Sequence, residues 1–329
     1  MPRRSRRQLA RIVLSFTLAV AALTAAGCLD DKDLVAPTVD EDPTLPHMDL
    51  NGTRLHVTEM GTPGAPLIVF IHGGPGGDHR SYLEWSALAS KYHLVMYDQR
   101  GAGLSRRENK DTLKVEVSLA DLDALIKATR QGSEPVVLFT HSWGGSLATA
   151  YINEDPSRVQ GLILVEPPGF TRKELEDFYQ ASFDAVKLGE GVDDILWSAP
   201  FLSPEQHARW DYLAFAQNSG EGAIGGLDPV HREPGWRWGA ALSYWLPQQI
   251  SGPFDWTTRL SEVTFPVLWL RGDKNKTIST AQQEGLAKHY PQVEMHVVTG
   301  VGHDLLYQRR EELMPVVEDY LARVTQGVK

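Results

Sequence analysis

The sequence predicts an α/β fold, a mainly parallel sheet held between helix layers, with a helical cap inserted after the sixth core strand. Three observations carry this. Short, near-continuous apolar runs alternate with helical patterns, as expected of strands covered on both faces. The alternation stops between about Phe170 and Arg259. A serine, an aspartate and a histidine (Ser142, Asp273 and His303) follow one another in that order, each closing a strand-like run.

The chain of 329 residues opens with Arg3, Arg4, Arg6, Arg7 and Arg11 ahead of an apolar, alanine-rich stretch from Ile12 to about Ala26. A charged n-region, an apolar h-region and small residues at the end read as an export signal over 1–27. The apolar run is short of the about 20 residues a membrane span needs. Ser5-Arg6-Arg7-Gln8-Leu9 partly matches a twin-arginine export motif, and a plain basic n-region explains it equally well. Cys28 is the single cysteine and follows Ala25-Ala26-Gly27 directly, which resembles a bacterial lipoprotein cleavage box, with Ala25 where leucine is most usual. Diacylglyceryl modification there implies a lipid-anchored protein of the bacterial cell envelope, because more than one acyl chain is needed for stable anchoring. Leu29, not aspartate, follows the cysteine, which favours the outer membrane if the cell is Gram-negative. Residues 28–46 are acidic and proline-containing without periodicity, and read as a flexible tether. No second cysteine is present for an intramolecular disulfide, so the fold must hold by packing.

The core is expected over 47–169 and 258–329, and the cap over 170–257. Runs at 67–71, 94–97, 136–139, 162–165, 267–270 and 295–298 read as strands, with 54–61 as an antiparallel strand before them. Segments near 81–90, 119–131, 143–154, 280–289 and 305–324 read as helices. The cap is rich in aromatics, among them Phe178, Tyr179, Phe183, Trp197, Trp210, Tyr212, Trp236, Trp238, Tyr244, Trp245 and Trp256. Most should form its own core, and a minority should line a substrate pocket against the sheet.

The net charge is −10; without the five arginines of the signal, 27 basic face 42 acidic residues, or −15. Such a surface argues against nucleic acid as a partner and leaves a small molecule or short peptide as substrate.

A serine hydroxyl needs a base to take its proton. In Thr140-His141-Ser142-Trp143-Gly144 the chain must leave a strand, turn sharply and enter a helix, which makes Ser142 the candidate nucleophile. His303, in VTGVGH, is the candidate base; His141 should point away from Ser142. Asp273, closing VLWLRGD, is the candidate acid that orients His303, and Glu166, closing LILVE, is its rival from the preceding strand. Asp304 adjoins His303 and is expected to be directed elsewhere, and Asp98 to hold its own loop or pair with Arg100. The oxyanion should be met by the N–H groups of Trp143 and Gly74, the latter in the loop HGGPGG that His72 braces.

HGGPGG, YDQRGAGLS, HSWGGSLATAY, RGD and GVGH together resemble the α/β-hydrolase superfamily, and the first two resemble its proline iminopeptidase branch. The resemblance implies an α/β-hydrolase fold and a serine aminopeptidase or amidase that removes an N-terminal proline or similar residue, with acids holding the free amine. Glu166 is a candidate amine ligand on that reading. The chain departs from the pattern at Thr140, where glycine is usual, at VEPPGF after the sixth strand, and in the cap.

A carboxylesterase or related acyl hydrolase on the same core is the alternative. An epoxide hydrolase or dehalogenase wants a carboxylate where Ser142 stands. A non-catalytic, lipid-anchored binding protein is the rival from outside enzymes. No cofactor is expected: Gly74-Pro75-Gly76 lacks the third glycine of a dinucleotide loop, His79 standing there. No metal is expected either, since His72, Asp78 and His79 match no ligand spacing. For the anchor, Cys28→Ser should move the protein from the membrane to the soluble fraction, and continued membrane retention would refute lipidation.

Overall fold

The computed structural model describes residues 34–185, 203–218, 236–249 and 252–326. The signal and Cys28 lie outside these residues, as does Trp197. Eight strands form one sheet: β1 His47–Leu50, β2 Thr53–Met60, β3 Leu67–Ile71, β4 His93–Tyr97, β5 Val136–His141, β6 Gly161–Val165, β7 Val267–Gly272 and β8 Val293–Val298. Their spatial order is β1-β2-β4-β3-β5-β6-β7-β8. β1 pairs with β2 and β2 with β4 in antiparallel fashion; every later pairing is parallel. The expected strands are all present, and β1 is one the sequence reading passed over.

The apolar runs explain the layering. Every residue of β3, β4 and β6 is buried. Alternate residues serve opposite faces: Leu67, Val69 and Ile71 enter one core with Leu138 and Trp143, whereas Ile68 and Phe70 enter a second with Tyr82, Trp85 and Phe139. β8, at the sheet edge, is mostly half-buried.

Two helices differ from expectation. The segment His79–Ser90 is a 3-10 helix. Its buried residues, His79, Tyr82, Trp85 and Leu88, recur every third position, and three residues per turn is the period that puts all four on one face. Asp78 caps it by accepting from the Arg80 N–H at 3.0 Å. The predicted terminal helix is broken at Arg309 into Leu305–Gln308 and Arg310–Thr325.

Between β6 and β7 stand helices Arg172–Ala185, His207–Asn218 and Ala240–Gln249, in the stretch expected to be the cap. Phe178 and Trp210 are buried. The segment before β1 corrects the reading of 28–46 as a free tether, because residues 34–46 are packed against the core and the cap stretch. Val39 is fully buried and its N–H donates to the Leu104 carbonyl at 2.8 Å. Arg237 donates to the Ala36 carbonyl at 3.1 Å and to Glu41 at 2.8 Å. Asp40 pairs with Arg54 and Arg106. The acidity that suggested a solvated linker neutralises arginines elsewhere in the fold.

Burying Val39 is worth about 1.5–3 kcal/mol, and each kcal/mol moves the midpoint of a domain this size by about 2–4 °C. A chain starting after Pro46 should therefore melt ~5 °C or more below one starting after Asp33, measured by circular dichroism; equal midpoints would contradict the docking.

Candidate active site

Ser142 joins the end of β5 to helix Trp143–Glu154 with φ 52° and ψ −123°. A non-glycine residue at positive φ stores strain and survives only where its surroundings hold it. Here the Ser142 N–H donates to the Val165 carbonyl at 2.8 Å, and its carbonyl accepts from Gly145 at 2.8 Å. Gly144 is required, since a Cβ there would collide with the Ile71 carbonyl oxygen. Thr140, the departure from the expected glycine, is accommodated: its hydroxyl is buried and donates to the Ile163 carbonyl at 2.9 Å.

Gly73 lies beside this turn, so close that a Cβ would stand 2.9 Å from the Ser142 Cβ. Gly74 follows with φ 124° and a cis bond to Pro75. Trp143 is the first helical residue, so its N–H has no intrahelical acceptor. Gly73 and Trp143 thus adjoin Ser142, with Gly74 next along the loop. His72 braces the loop as expected. Its Nε2 accepts from the Gln99 N–H at 2.9 Å and its Nδ1 lies 2.9 Å from the Gly73 carbonyl, which fixes the Nδ1-H tautomer. Burial pushes this imidazole down to about 4, so it stays neutral. The Gln99 side chain also accepts from the Trp143 indole at 3.2 Å and donates to the His72 carbonyl at 2.8 Å.

His303 meets Glu166, and this corrects the assignment of Asp273. The His303 Nδ1 lies 2.9 Å from the Glu166 Oε2. Glu166 is fully buried, follows β6 and has φ 47°. Its Oε1 accepts from the Gly272 N–H at 2.8 Å, and its Oε2 from the Asn275 side-chain amide. Asp273 turns the other way. Its carboxylate accepts from the Gly300 N–H at 2.6 Å and lies 3.4 Å from the Lys274 ammonium. The Gly300 N–H, with Lys274 in support, holds it below the usual carboxylate range. The backbone explains the switch: Asp273 is locked by its own N–H to the Val298 carbonyl at 3.1 Å, while the turn at Glu166 aims that side chain across the end of β7. Glu166 is likewise excluded as an exposed amine ligand, because its oxygens are taken up inside the protein.

His141 does not point away from the site. Its ring stands 4.6 Å from that of His303 by centroids, and its Nε2 donates to the His303 carbonyl at 2.9 Å. Sequence reasoning misses both this brace and the Asn275 contact; a histidine directly before Ser142 and an asparagine two residues after Asp273 are the available signals.

Asp98 holds its loop, as expected, but not through Arg100, which pairs with Asp121 at 2.7 Å. Asp98 is fully buried and accepts from His56 at 2.9 Å, from His79 Nδ1 and N–H at 2.8 Å each, and from the Leu104 N–H at 2.7 Å. Burial opposes its ionisation, and His79 and His56 overcome that, holding the carboxyl well below its usual range. The ligating atoms of His56, His79 and Asp98 lie within 4.8 Å of one another. Both Nδ1 atoms are committed to Asp98, and the His79 Nε2 lies 3.0 Å from the Thr58 hydroxyl, so hydrogen bonds alone account for the cluster.

The cap stretch reaches the Gly-rich loop directly. The Gly239 N–H donates to the Gly76 carbonyl at 2.7 Å, and Ser243 donates to the Pro75 carbonyl. Trp236 packs edge-on against His56 and His79 and donates its N–H to Asp78 at 2.6 Å.

Comparison with known proteins identifies the fold family. A family model described as the alpha/beta hydrolase fold matches residues 66–309. A proline iminopeptidase of Heyndrickxia coagulans is 26% identical over 83% of this chain and 97% of that protein. Epoxide hydrolase 3 of Mus musculus is 23% identical over 93% of this chain and 89% of that protein. Among solved structures, a proline iminopeptidase of Mycobacterium smegmatis covers 86% of this chain and 99% of its own, with a TM-score of 0.58 at 21% identity. An epoxide hydrolase of Bacillus megaterium with a bound inhibitor covers 84% and 99%, with a TM-score of 0.60 at 20% identity. At these identities the structures show the shared fold.

The neutral burial of His72 has a consequence for stability. Its imidazole takes up a proton near 6.5 when unfolded and only near about 4 when folded. The contribution is complete above the unfolded value and lost as pH falls from 6.5 towards 4, by on the order of 3 kcal/mol in all. Urea unfolding at pH 7 and pH 4.5 should show this loss, and His72→Gln should reduce the difference; a pH-independent stability over that window would contradict it.

Proposed function

We propose, for a chain that belongs to the α/β-hydrolase fold family, a serine hydrolase working through an acyl-enzyme with Ser142 as nucleophile, His303 as base and Glu166 as the acid. The observation that carries this reading is the 2.9 Å contact between His303 Nδ1 and a buried Glu166, set against a strained Ser142 at the strand-to-helix turn. Ser142 Oγ attacks the substrate carbonyl carbon and gives its proton to His303 Nε2. Glu166 stabilises the imidazolium that results. The N–H groups of Trp143 and Gly74 receive the developing oxyanion. Collapse of the tetrahedral intermediate breaks the carbonyl bond to the leaving group, which takes the proton from His303. Water, activated by the same imidazole, then releases the acid product.

The preferred substrate class is a small amide with a free N-terminal amine, as for a proline iminopeptidase. The support is the HGGPGG and DQRG pattern and the proline iminopeptidases among the relatives. A carboxylesterase is the second reading, favoured by one observation: Glu166, the acid considered for the amine, is committed to His303. The epoxide hydrolases among the relatives do not extend to this chain's chemistry, because a serine stands at the turn. Lipid anchoring through Cys28 in the cell envelope completes the proposal.

The test uses purified full-length protein on proline-naphthylamide, its N-blocked form, and p-nitrophenyl acetate and butyrate. Cleavage of only the free-amine amide supports the aminopeptidase, and ester cleavage alone supports the esterase. Ser142→Ala should cut kcat by on the order of 10⁶-fold. Asp273→Asn should stay within about threefold of wild type, whereas Glu166→Gln should lose on the order of 10³–10⁴-fold by loss of the histidine's anionic partner. The reverse ranking would return the acid to Asp273.

A further inference from the structure

A buried charge cluster away from the reacting groups links the segment ahead of β1 to the Gly-rich loop. Arg107 and Arg237 both donate to one oxygen of Asp211, at 2.8 Å each, and all three side chains are buried. Two cations thus share one carboxylate, and burial pulls the Arg107 guanidinium below its usual range despite Asp211. Glu41 brings a second negative charge to Arg237, at 2.8 Å. Burial opposes its ionisation, and the Thr38 N–H and Arg237 overcome that, holding the carboxyl below its usual range. The Arg237 Nη1 also donates to the Ala36 carbonyl at 3.1 Å. Both of these acceptors belong to the docked segment, which the fully buried Val39 seats in the core.

Two contacts run from this cluster to the Gly-rich loop. Gly239, two residues after Arg237, donates its N–H to the Gly76 carbonyl at 2.7 Å. It has no slack: a Cβ there would collide with the Gly101 carbonyl oxygen and stand 2.7 Å from the Ala102 Cα. The other oxygen of Asp211 accepts from the Ala240 N–H at 3.0 Å. That fixes the start of helix Ala240–Gln249, whose Ser243 donates to the Pro75 carbonyl. Gly74 directly precedes these two anchored residues.

We propose that Arg237 is a positioning residue for the oxyanion donor at Gly74, and that residues 36–41, by holding Arg237, act as an activating strap built into the chain. This rests on the serine-hydrolase reading above. Without Glu41, Arg237 is a buried cation short of an acceptor, and such a charge is costly to keep out of water. The guanidinium then moves towards solvent and draws 237–239 with it. The contact at Gly76 loosens, and the Gly74 N–H loses the fixed position that oxyanion stabilisation requires. The strap therefore acts on the rate of acyl transfer as well as on stability.

The experiment measures how fast a fluorophosphonate and its thiono counterpart label Ser142 in the full-length chain. In that step Ser142 Oγ bonds to phosphorus, fluoride leaves and the Oγ proton passes to His303. Sulfur replaces the oxygen that would meet the Gly74 and Trp143 N–H groups, and it accepts hydrogen bonds only weakly. The ratio of the two rates therefore reads the oxyanion donors, which a loss of folded protein does not change. Ser142→Ala serves as the unlabelled control. Glu41→Gln should slow labelling by the oxygen probe by about tenfold, a fraction of the roughly 10²–10³-fold that a donor removed outright costs. Its preference for oxygen over sulfur should fall by at least about threefold. Val39→Asp, which undocks the whole strap, should lose more of both. Asp40→Asn is the control within the strap, since Asp40 pairs with Arg54 and Arg106 and not with Arg237; it should label like the wild type. Should Val39→Asp fail to fold, the comparison of E41Q with D40N still decides. A wild-type rate in E41Q, or a slower rate with the oxygen preference intact, would overturn the proposal while leaving the nucleophile standing. D40N slowed as much as E41Q would do the same. Failure of the wild type to label at Ser142 would remove the serine-hydrolase reading and this inference together.

Discussion

The buried carboxylate of Glu166 is the interaction on which the site depends. A charge taken out of water is tolerated only where it is well hydrogen-bonded. Glu166 meets that demand with three donors drawn from three places: Gly272 at the end of β7, Asn275 in the loop after it, and His303 beyond β8. Satisfying one charge therefore fixes three loops at the carboxyl edge of the sheet. Gly272 makes the approach possible, because a Cβ there would collide with the Val301 carbonyl in the loop that carries His303. Without the sheet order that sets β6 beside β7 and β7 beside β8, these groups would not share a neighbourhood.

A second buried carboxylate plays the same part on the other side. Asp98 follows β4 as Glu166 follows β6, and it gathers His56 from β2, the start of the helix at His79, and the turn at Leu104. Trp236, from the cap stretch, closes over the two histidines. Asp211 is the third such anchor, accepting from Arg107 and Arg237 at 2.8 Å each. Arg237 in turn reaches Glu41, and Gly239 reaches Gly76, so these two nearby residues of the cap stretch tie it to the segment ahead of β1 and to the Gly-rich loop. The Gly-rich loop is thus braced from one side by His72 and Gln99 and from the other by Gly239 and Ser243. Such bracing is what preorganised donors require.

Much of this was legible in the chain. Apolar runs such as LIVFI mark β3 because full burial on both faces allows no polar interruption. The turn at Ser142 is legible because backbone crowding admits only glycine at 144. The threefold spacing of His79, Tyr82, Trp85 and Leu88 was also present in the sequence, and a 3.6-residue template overlooks it. The docked segment 34–46 was not legible. Its acidic residues look solvated until the arginines that meet them, Arg54, Arg106 and Arg237, are brought up from distant positions.

The carboxylate that meets His303 shows where the division falls. The strands, the strand-to-helix turn at Ser142 and the loop carrying His303 could each be read from the sequence, since each follows from patterns within a few residues of its own position. The sequence also supplied two carboxylates, Asp273 and Glu166, at the ends of neighbouring strands. Chain order cannot choose between them, because both precede His303 and both close apolar runs. Which of them contacts the imidazole depends on the folded backbone, through the direction in which it leaves each strand. Asp273 is held outward by Val298 and Gly300, and Glu166, at positive φ, turns inward to the imidazole.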